Sequence, residues 1–89
     1  MTTPAGKIEL LIVDDDPLIA DSLRYFLGRD YRVTIAQTRV EAVTLLRDRN
    51  HQPALALIDL GLPPTPHRPD EGFALIADIL AHAPETRIV

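Results

Sequence analysis

Short apolar segments alternate along the chain with longer amphipathic ones. The first apolar segment, residues 8–13 (IELLIV), is rich in branched side chains and has the length of a strand buried on both faces. Residues 31–36 alternate between polar and apolar side chains, residues 54–60 (ALALIDL) are largely apolar, and another apolar run begins at Thr86. The hydrophobic pattern therefore predicts four strands.

Signals for helix initiation lie between these predicted strands. Pro17 suits the first turn of a helix, because its missing N–H needs no partner there, and Asp16 before it is a natural N-cap. Thr38 and Glu41 have the spacing of a capping box, in which each residue satisfies a free N–H of the helix start. A helix is therefore predicted after each of the first two strands.

The predicted helices end at residues that disfavour continuation. Gly28 is placed to end the first helix, and the second is expected to end near Asn50. Phe73 and Leu80 lie on the apolar face of a third helix, which stops before Pro84. Strands and helices thus alternate, which predicts an α/β fold with a parallel sheet and right-handed crossovers.

Composition excludes several classes of protein. The 89 residues suffice for one small domain, and their formal charge of −4 argues against the clustered basic surface of a nucleic-acid-binding protein. The absence of cysteine excludes disulfides, thiolate zinc sites and cysteine nucleophiles. No apolar run approaches the ~20 residues of a membrane helix, and residues 1–8 are too short and polar for a signal peptide. We therefore expect a cytoplasmic domain that contacts neither membrane nor nucleic acid directly.

Acidic residues follow two of the predicted strands. Asp14 and Asp15 come directly after the first strand, and Asp59 lies near the end of the third. The carboxyl ends of parallel strands meet at one edge of a sheet, where ligands of such folds bind. Strand-end aspartates also cap helices, which is the role assigned to Asp16. Acids on two strands together favour a site for Mg²⁺ or a phosphoryl group, because hard cations prefer carboxylate oxygens.

The segments that carry these acids resemble a known family. LLIVDDDPLIADSLRYFL and ALALIDLGLP are similar to the receiver domain of two-component response regulators. The spacing between Asp15 and Asp59 fits that family, as does the Leu62–Pro63 step. The resemblance implies a flavodoxin-like three-layer sandwich, whose strand order in a complete domain is 2-1-3-4-5. Residues 1–89 would form an incomplete receiver domain that contains the first four of these strands.

The resemblance also implies roles for individual residues. Asp59 is the expected phosphoacceptor, which takes a phosphoryl group from a sensor histidine kinase and passes a signal to an output domain, with transcription as one output. Asp15 would ligate Mg²⁺ directly, Asp14 directly or through water, and Asp59 and the backbone carbonyl of Gly61 would complete the protein ligands. A protein of this kind is not expected to act as an enzyme.

The sequence departs from the family in two places. A complete receiver domain continues with two more helices and a fifth strand, and carries a Ser or Thr after the fourth strand and a Lys after the fifth. Neither has a counterpart, since the single lysine is Lys7. We therefore expect a truncated domain whose exposed side around residues 86–89 favours self-association or partial folding. The proline-rich loop of residues 61–70, with His67 and Arg68, resembles an insertion in a subgroup of transcription regulators.

Two other functions remain open. A Mg²⁺-dependent phosphotransferase or phosphatase uses a similar sheet, but such enzymes often carry a second acid two residues after the nucleophilic aspartate, where this chain has Gly61. An interaction module that kept the fold and lost the phosphorylation switch would not accept a phosphoryl group at all.

The remaining candidate side chains are assigned structural roles. Tyr25, Phe26 and Phe73 are expected to be at least partly buried, and the histidines at positions 51, 67 and 82 have no metal-ligand spacing.

Overall fold

Four strands and three helices alternate along the chain. The computed structural model describes residues 7–48, 52–63 and 68–89. The elements are β1 (Ile8–Val13), α1 (Pro17–Leu27), β2 (Tyr31–Ala36), α2 (Arg39–Asp48), β3 (Leu55–Ile58), α3 (Asp70–His82) and β4 (Arg87–Ile88). The strands form one parallel sheet of order β2-β1-β3-β4, which confirms the predicted α/β fold and its strand order.

The register of the sheet aligns the carboxyl ends of its first three strands. β1 pairs with β2 over its whole length, and with β3 over its last four residues. Val13 is therefore level with Ala36 on one side and with Ile58 on the other. The residues that follow β1, β2 and β3 leave the sheet at the same edge.

The core follows the alternation of side chains along β1. Leu11 and Val13 are completely buried in a cluster with residues of α2 and α3, while Leu10 and Ile12 point to the opposite face, where they line cavities together with α1. Helices thus cover both faces of the sheet, as expected for parallel strands. The main cluster consists of Leu11, Val13, Ala36, Ala42, Leu46, Ala56, Leu62, Leu75, Ile79 and Ala83.

The helix starts use the capping residues that the sequence indicates. Asp16 Oδ1 accepts the N–H of Leu18 over 3.0 Å, and Pro17 occupies the first turn of α1. Thr38 Oγ1 accepts the N–H of Glu41 over 3.1 Å. The Glu41 carboxylate reaches back to the N–H of Gln37 over 2.8 Å, one residue earlier than in the usual capping box.

Three elements have bounds that differ from the predicted ones. β3 ends at Ile58 rather than Leu60, because the chain leaves the ladder where the N–H of Gly61 turns back to the Asp59 carboxylate. α3 begins at Asp70, before the apolar periodicity starts, because an acidic first turn complements the helix dipole. β4 is also shorter than predicted, and the expected end of α2 near residue 50 lies outside the described ranges.

The prediction for the aromatic residues was wrong. Tyr25 is 77% exposed, Phe26 69% and Phe73 56%. α1 meets the sheet through Ala20, its one fully buried residue, and successive residues of a helix are about 100° apart. Tyr25 and Phe26 therefore lie on the outer side of α1, where their rings contact each other edge to face with centroids 5.4 Å apart.

The face of the sheet that α1 covers is left partly uncovered near β4. A cavity of about 150 Å³ is lined by apolar side chains of β1, β3 and the end of α1, and Val89 at its rim is largely exposed. Within the described residues, β4 pairs on one side only. The expectation that copies of the chain associate through this side stays a prediction. None of the helices in the described ranges has the length and apolar character needed to cross a membrane.

An ion-pair cluster joins α2 to α3. Arg39 Nε donates to Asp78 Oδ2 over 2.7 Å, and Arg39 Nη1 lies 3.5 Å from Glu71 Oε1. All three side chains are partly exposed, which limits the strength of the pairs. The pairs connect the start of α2 to the first turn of α3 and to a residue two turns later.

We expect the substitution Arg39→Met to lower the free energy of unfolding by about 1 kcal/mol or less. Methionine keeps the apolar stem and removes the charge. Urea denaturation of Arg39→Met, Asp78→Asn and the double variant would isolate the coupling between the two side chains. The exposed Arg29→Met serves as the control, and a loss of several kcal/mol from Arg39→Met would contradict the estimate.

Candidate functional site

Backbone hydrogen bonds fix two acidic residues at the carboxyl edge of the sheet. The N–H of Asp14 donates to the carbonyl of Ala36 over 3.0 Å, and the N–H of Asp59 donates to the carbonyl of Val13 over 2.9 Å. Each bond continues a strand ladder by one residue. Asp14 and Asp59 therefore sit side by side on a rigid part of the fold, as preorganised chemistry requires.

Three carboxylates meet at this edge. One carboxylate oxygen from each of Asp14, Asp15 and Asp59 lies within 4.8 Å of the other two. The expectation that these three residues converge is confirmed. Asp16 has a different use, since its carboxylate caps α1. We refer to Asp14, Asp15 and Asp59 as the acidic cluster.

The acidic cluster concentrates negative charge. Partial burial raises the pKa of Asp14 above its ordinary 3.8, and the charges of Asp59, Asp15 and Asp16 raise it further. The N–H of Asp16, which donates to Asp14 Oδ1 over 2.9 Å, acts in the opposite direction. No lysine or arginine of the described residues forms an ion pair with the cluster. The site is electrostatically suited to a cation.

The donor set of the acidic cluster indicates which cations would fit. Its side-chain donors are carboxylate oxygens, which hard divalent ions such as Mg²⁺ and Ca²⁺ prefer. Asp14 and Asp59 also border a groove of about 320 Å³ whose other walls are apolar side chains of α1, β1 and β3. The cluster therefore has access to solvent and room for water or a phosphoryl group beside it.

The two carboxylate oxygens of Asp59 have different surroundings. Oδ1 accepts the N–H of Gly61 over 3.1 Å, whereas Oδ2 accepts no hydrogen bond from the part of the chain that the structure describes. Leu60 lies between Asp59 and Gly61, and its backbone carbonyl accepts the N–H of Gly72, in the first turn of α3, over 3.2 Å. Gly72 belongs to none of the motifs that predict the site, although a glycine within a helical pattern is a signal for close packing.

The other candidate side chains take no part in the acidic cluster. Arg68 forms an exposed ion pair with Asp70, with Nε and Oδ2 3.4 Å apart. His82 is exposed at the end of α3. His51 and His67 lie outside the described residues.

The strand order and the position of the acidic cluster are those of a known family. Residues 10–89 match the response regulator receiver domain family. The chain belongs to this family. The flavodoxin-like fold that the resemblance implied is therefore confirmed, and the chain is a receiver domain of a response regulator.

Individual relatives agree with this assignment. Response regulator Rre1 of Synechocystis sp. is 38% identical to the receiver domain over 61 residues, which are 66% of this chain and 26% of that protein. A solved response regulator protein from Burkholderia pseudomallei, with a phosphorylated aspartic acid, a calcium ion and citrate, is 29% identical. Its TM-score is 0.79, over 92% of this chain and 45% of that chain.

A third relative shares the fold alone. The structure of an adenylate cyclase from Rhodopirellula baltica is 22% identical, with a TM-score of 0.80 over 92% of this chain and 56% of that chain. The receiver domain thus spans 26% of the curated relative and about half of these solved chains.

Proposed function

We propose that this receiver domain accepts a phosphoryl group on Asp59 and holds Mg²⁺ beside it. Asp14, Asp15 and Asp59 would be the carboxylate ligands, with Asp15 binding directly and Asp14 directly or through water. The backbone carbonyl of Gly61 would be a further ligand. The observation that carries the proposal is the approach of the three carboxylates to within 4.8 Å of one another.

The proposed reaction is transfer from a phosphohistidine of a sensor histidine kinase. A carboxylate oxygen of Asp59 attacks the phosphorus, so that a P–O bond forms and the P–N bond breaks with its electron pair left on the histidine ring. The Gly61 N–H occupies Oδ1 of Asp59, which leaves Oδ2 accessible for attack or coordination. Mg²⁺, when bound, offsets the charge of the carboxylates and of the phosphoryl oxygens.

The surroundings of Asp59 favour a role as a phosphoacceptor, whose aspartyl phosphate persists, over the role of a nucleophile in a phosphatase or phosphotransferase with repeated catalytic cycles. Hydrolysis of the acyl phosphate is accelerated when a second acid or base positions the attacking water. Gly61, two residues after Asp59, offers no side chain for that role. The aspartyl phosphate is therefore expected to persist long enough to act as a signal.

The proposal extends to partners outside these residues. A phosphoryl group on Asp59 would alter the charge of the acidic cluster, and a response regulator uses such a change to control an output domain. We propose that this domain acts in the cytoplasm, with a sensor histidine kinase as the donor and an output domain, with transcription as one output, as the target. This receiver domain then has no need to bind nucleic acid itself, in keeping with its charge of −4.

The proposal is tested by incubating the full natural polypeptide with acetyl phosphate and Mg²⁺. Intact-mass spectrometry should reveal one added phosphoryl group, and hydroxylamine should remove it, as expected for an acyl phosphate. Chelation of the metal with EDTA should prevent labelling. An accumulating, hydroxylamine-sensitive product supports the receiver function.

Two other outcomes would overturn the proposal in favour of its alternatives. Continuous release of inorganic phosphate without accumulation of the acyl phosphate would indicate an enzyme. Absence of labelling by acetyl phosphate and by a phosphorylated histidine kinase domain would indicate an interaction module that has lost the switch.

A further inference from the structure

Gly72 in the first turn of α3 packs directly on the backbone of Leu60. Its N–H donates to the Leu60 carbonyl over 3.2 Å. A Cβ atom added at Gly72 would lie 2.4 Å from Leu60 Cα, 2.7 Å from the Leu60 carbonyl oxygen and 2.8 Å from Leu60 Cδ2. Two of these atoms belong to the backbone, so no change of rotamer would relieve the overlap.

The close approach, not the backbone conformation, accounts for glycine at this position. Gly72 lies within a regular helix and its φ is outside the left-handed region. A helix alone would favour alanine over glycine here. The absence of a side chain is therefore required by the contact with Leu60.

Leu60 lies between the two residues whose orientation matters for the acidic cluster. Asp59 before it is bound to β1 through its N–H, and Gly61 after it donates its N–H to Asp59 Oδ1. A displacement of Leu60 would shift the N–H and the carbonyl of Gly61. The orientation of the Asp59 carboxylate would change with them.

α3 is anchored in the core and does not move readily away from Leu60. Leu75 and Ile79 are completely buried there, so a shift of the helix would disturb their packing. Leu60, in contrast, is 38% exposed. A side chain at position 72 would therefore displace the Leu60 segment rather than the helix.

We propose that Gly72 is a positioning residue for the acidic cluster. Because it lacks a side chain, α3 seats against Leu60 and fixes Gly61 and Asp59 in the orientation that binds the divalent cation and receives the phosphoryl group. This inference rests on the proposed function of Asp59.

The test compares Gly72→Ala with Gly28→Ala in the full natural polypeptide. Gly28 is a matched control, because a Cβ there would also approach a backbone atom, the Arg24 carbonyl oxygen, at 2.6 Å. It lies at the end of α1 far from the acidic cluster. Three quantities are measured for each variant. Mg²⁺ affinity is obtained by titration of the backbone amide NMR signals. The labelling rate is measured with acetyl phosphate, and the melting temperature is measured without metal.

Both variants should melt at a lower temperature, but only Gly72→Ala should lose affinity for Mg²⁺. We expect its dissociation constant to rise on the order of tenfold, as is typical when a group that orients a metal ligand is changed. The labelling rate at limiting Mg²⁺ should fall in parallel. Unchanged affinity in Gly72→Ala, or an equal loss in both variants, would reduce Gly72 to a purely structural role and overturn the inference.

A second variant covers the case in which Gly72→Ala does not fold. Leu60→Gly leaves Gly72 unchanged and removes only a partly exposed side chain, but glycine adds backbone freedom to the segment that α3 would otherwise hold in one orientation. Its Mg²⁺ affinity should also fall, and wild-type affinity would contradict the inference. If the wild-type protein neither binds Mg²⁺ nor becomes labelled, the proposed function itself fails, which separates the two conclusions.

Discussion

Replacing Asp59 with asparagine is expected to abolish labelling by acetyl phosphate in the full natural polypeptide. The amide is a poor nucleophile and cannot form a stable acyl phosphate. Its oxygen can still accept the Gly61 N–H, which the wild-type carboxylate accepts over 3.1 Å, so the local fold should persist. Intact-mass spectrometry with and without the phosphodonor measures the result, and the melting curve confirms that the variant is folded.

The matched control for this prediction is Asp16→Asn. Asp16 borders the acidic cluster but caps α1 instead, and asparagine caps helices as well as aspartate does. Labelling of Asp16→Asn should stay close to that of the wild type. Undiminished labelling of the Asp59→Asn variant would place the phosphoacceptor elsewhere and contradict the proposed function.

Removing the two residues of the acidic cluster that follow β1 should have the second-largest effect. In the double variant Asp14→Asn/Asp15→Asn, we expect Mg²⁺ affinity to fall by about a hundredfold or more. Changing even a group that only hydrogen-bonds to a metal ligand typically lowers metal affinity by about 10- to 100-fold. Titration of the amide signals with Mg²⁺ measures this affinity. The exposed residue Asp21 on α1 provides the control Asp21→Asn, for which affinity should not change. Wild-type affinity in the double variant would remove these acids from the metal site.

The same double variant should be more stable than the wild type when no metal is present. The pKa of Asp14 is raised in the folded state, so its ionisation opposes folding. This cost is absent well below the ordinary pKa of 3.8, grows as the pH rises through the raised folded pKa, and is complete at neutral pH. Melting temperatures in EDTA at pH 7 should therefore be higher for the variant, with the difference disappearing in strong acid. A lower melting temperature at pH 7 would contradict this account.

Local sequence signals determined the elements next to the acidic cluster. β1 and β2 have the predicted limits, because β1 is a branched apolar segment, β2 alternates between polar and apolar side chains, and charged or polar residues flank both strands. Asp16 caps α1 because its short side chain reaches the free N–H groups of the first turn. Alternation of strands and helices strongly favours parallel pairing with crossovers, and this alone predicts that Asp14 and Asp59 lie at one edge of the sheet.

Contacts between distant parts of the chain decided the rest. The outward direction of Phe26 depends on which stripe of α1 meets the sheet, which the spacing of apolar residues alone left ambiguous. The end of β3 depends on a turn that side-chain periodicity does not reveal. The seat of Gly72 on Leu60 and the pairing of Arg39 with Asp78 join residues that are neighbours only after the helices have packed. Hydrophobic periodicity and helix capping act over a few residues. The position of the segment from Asp59 to Gly61, in contrast, depends on the packing of α3 against Leu60.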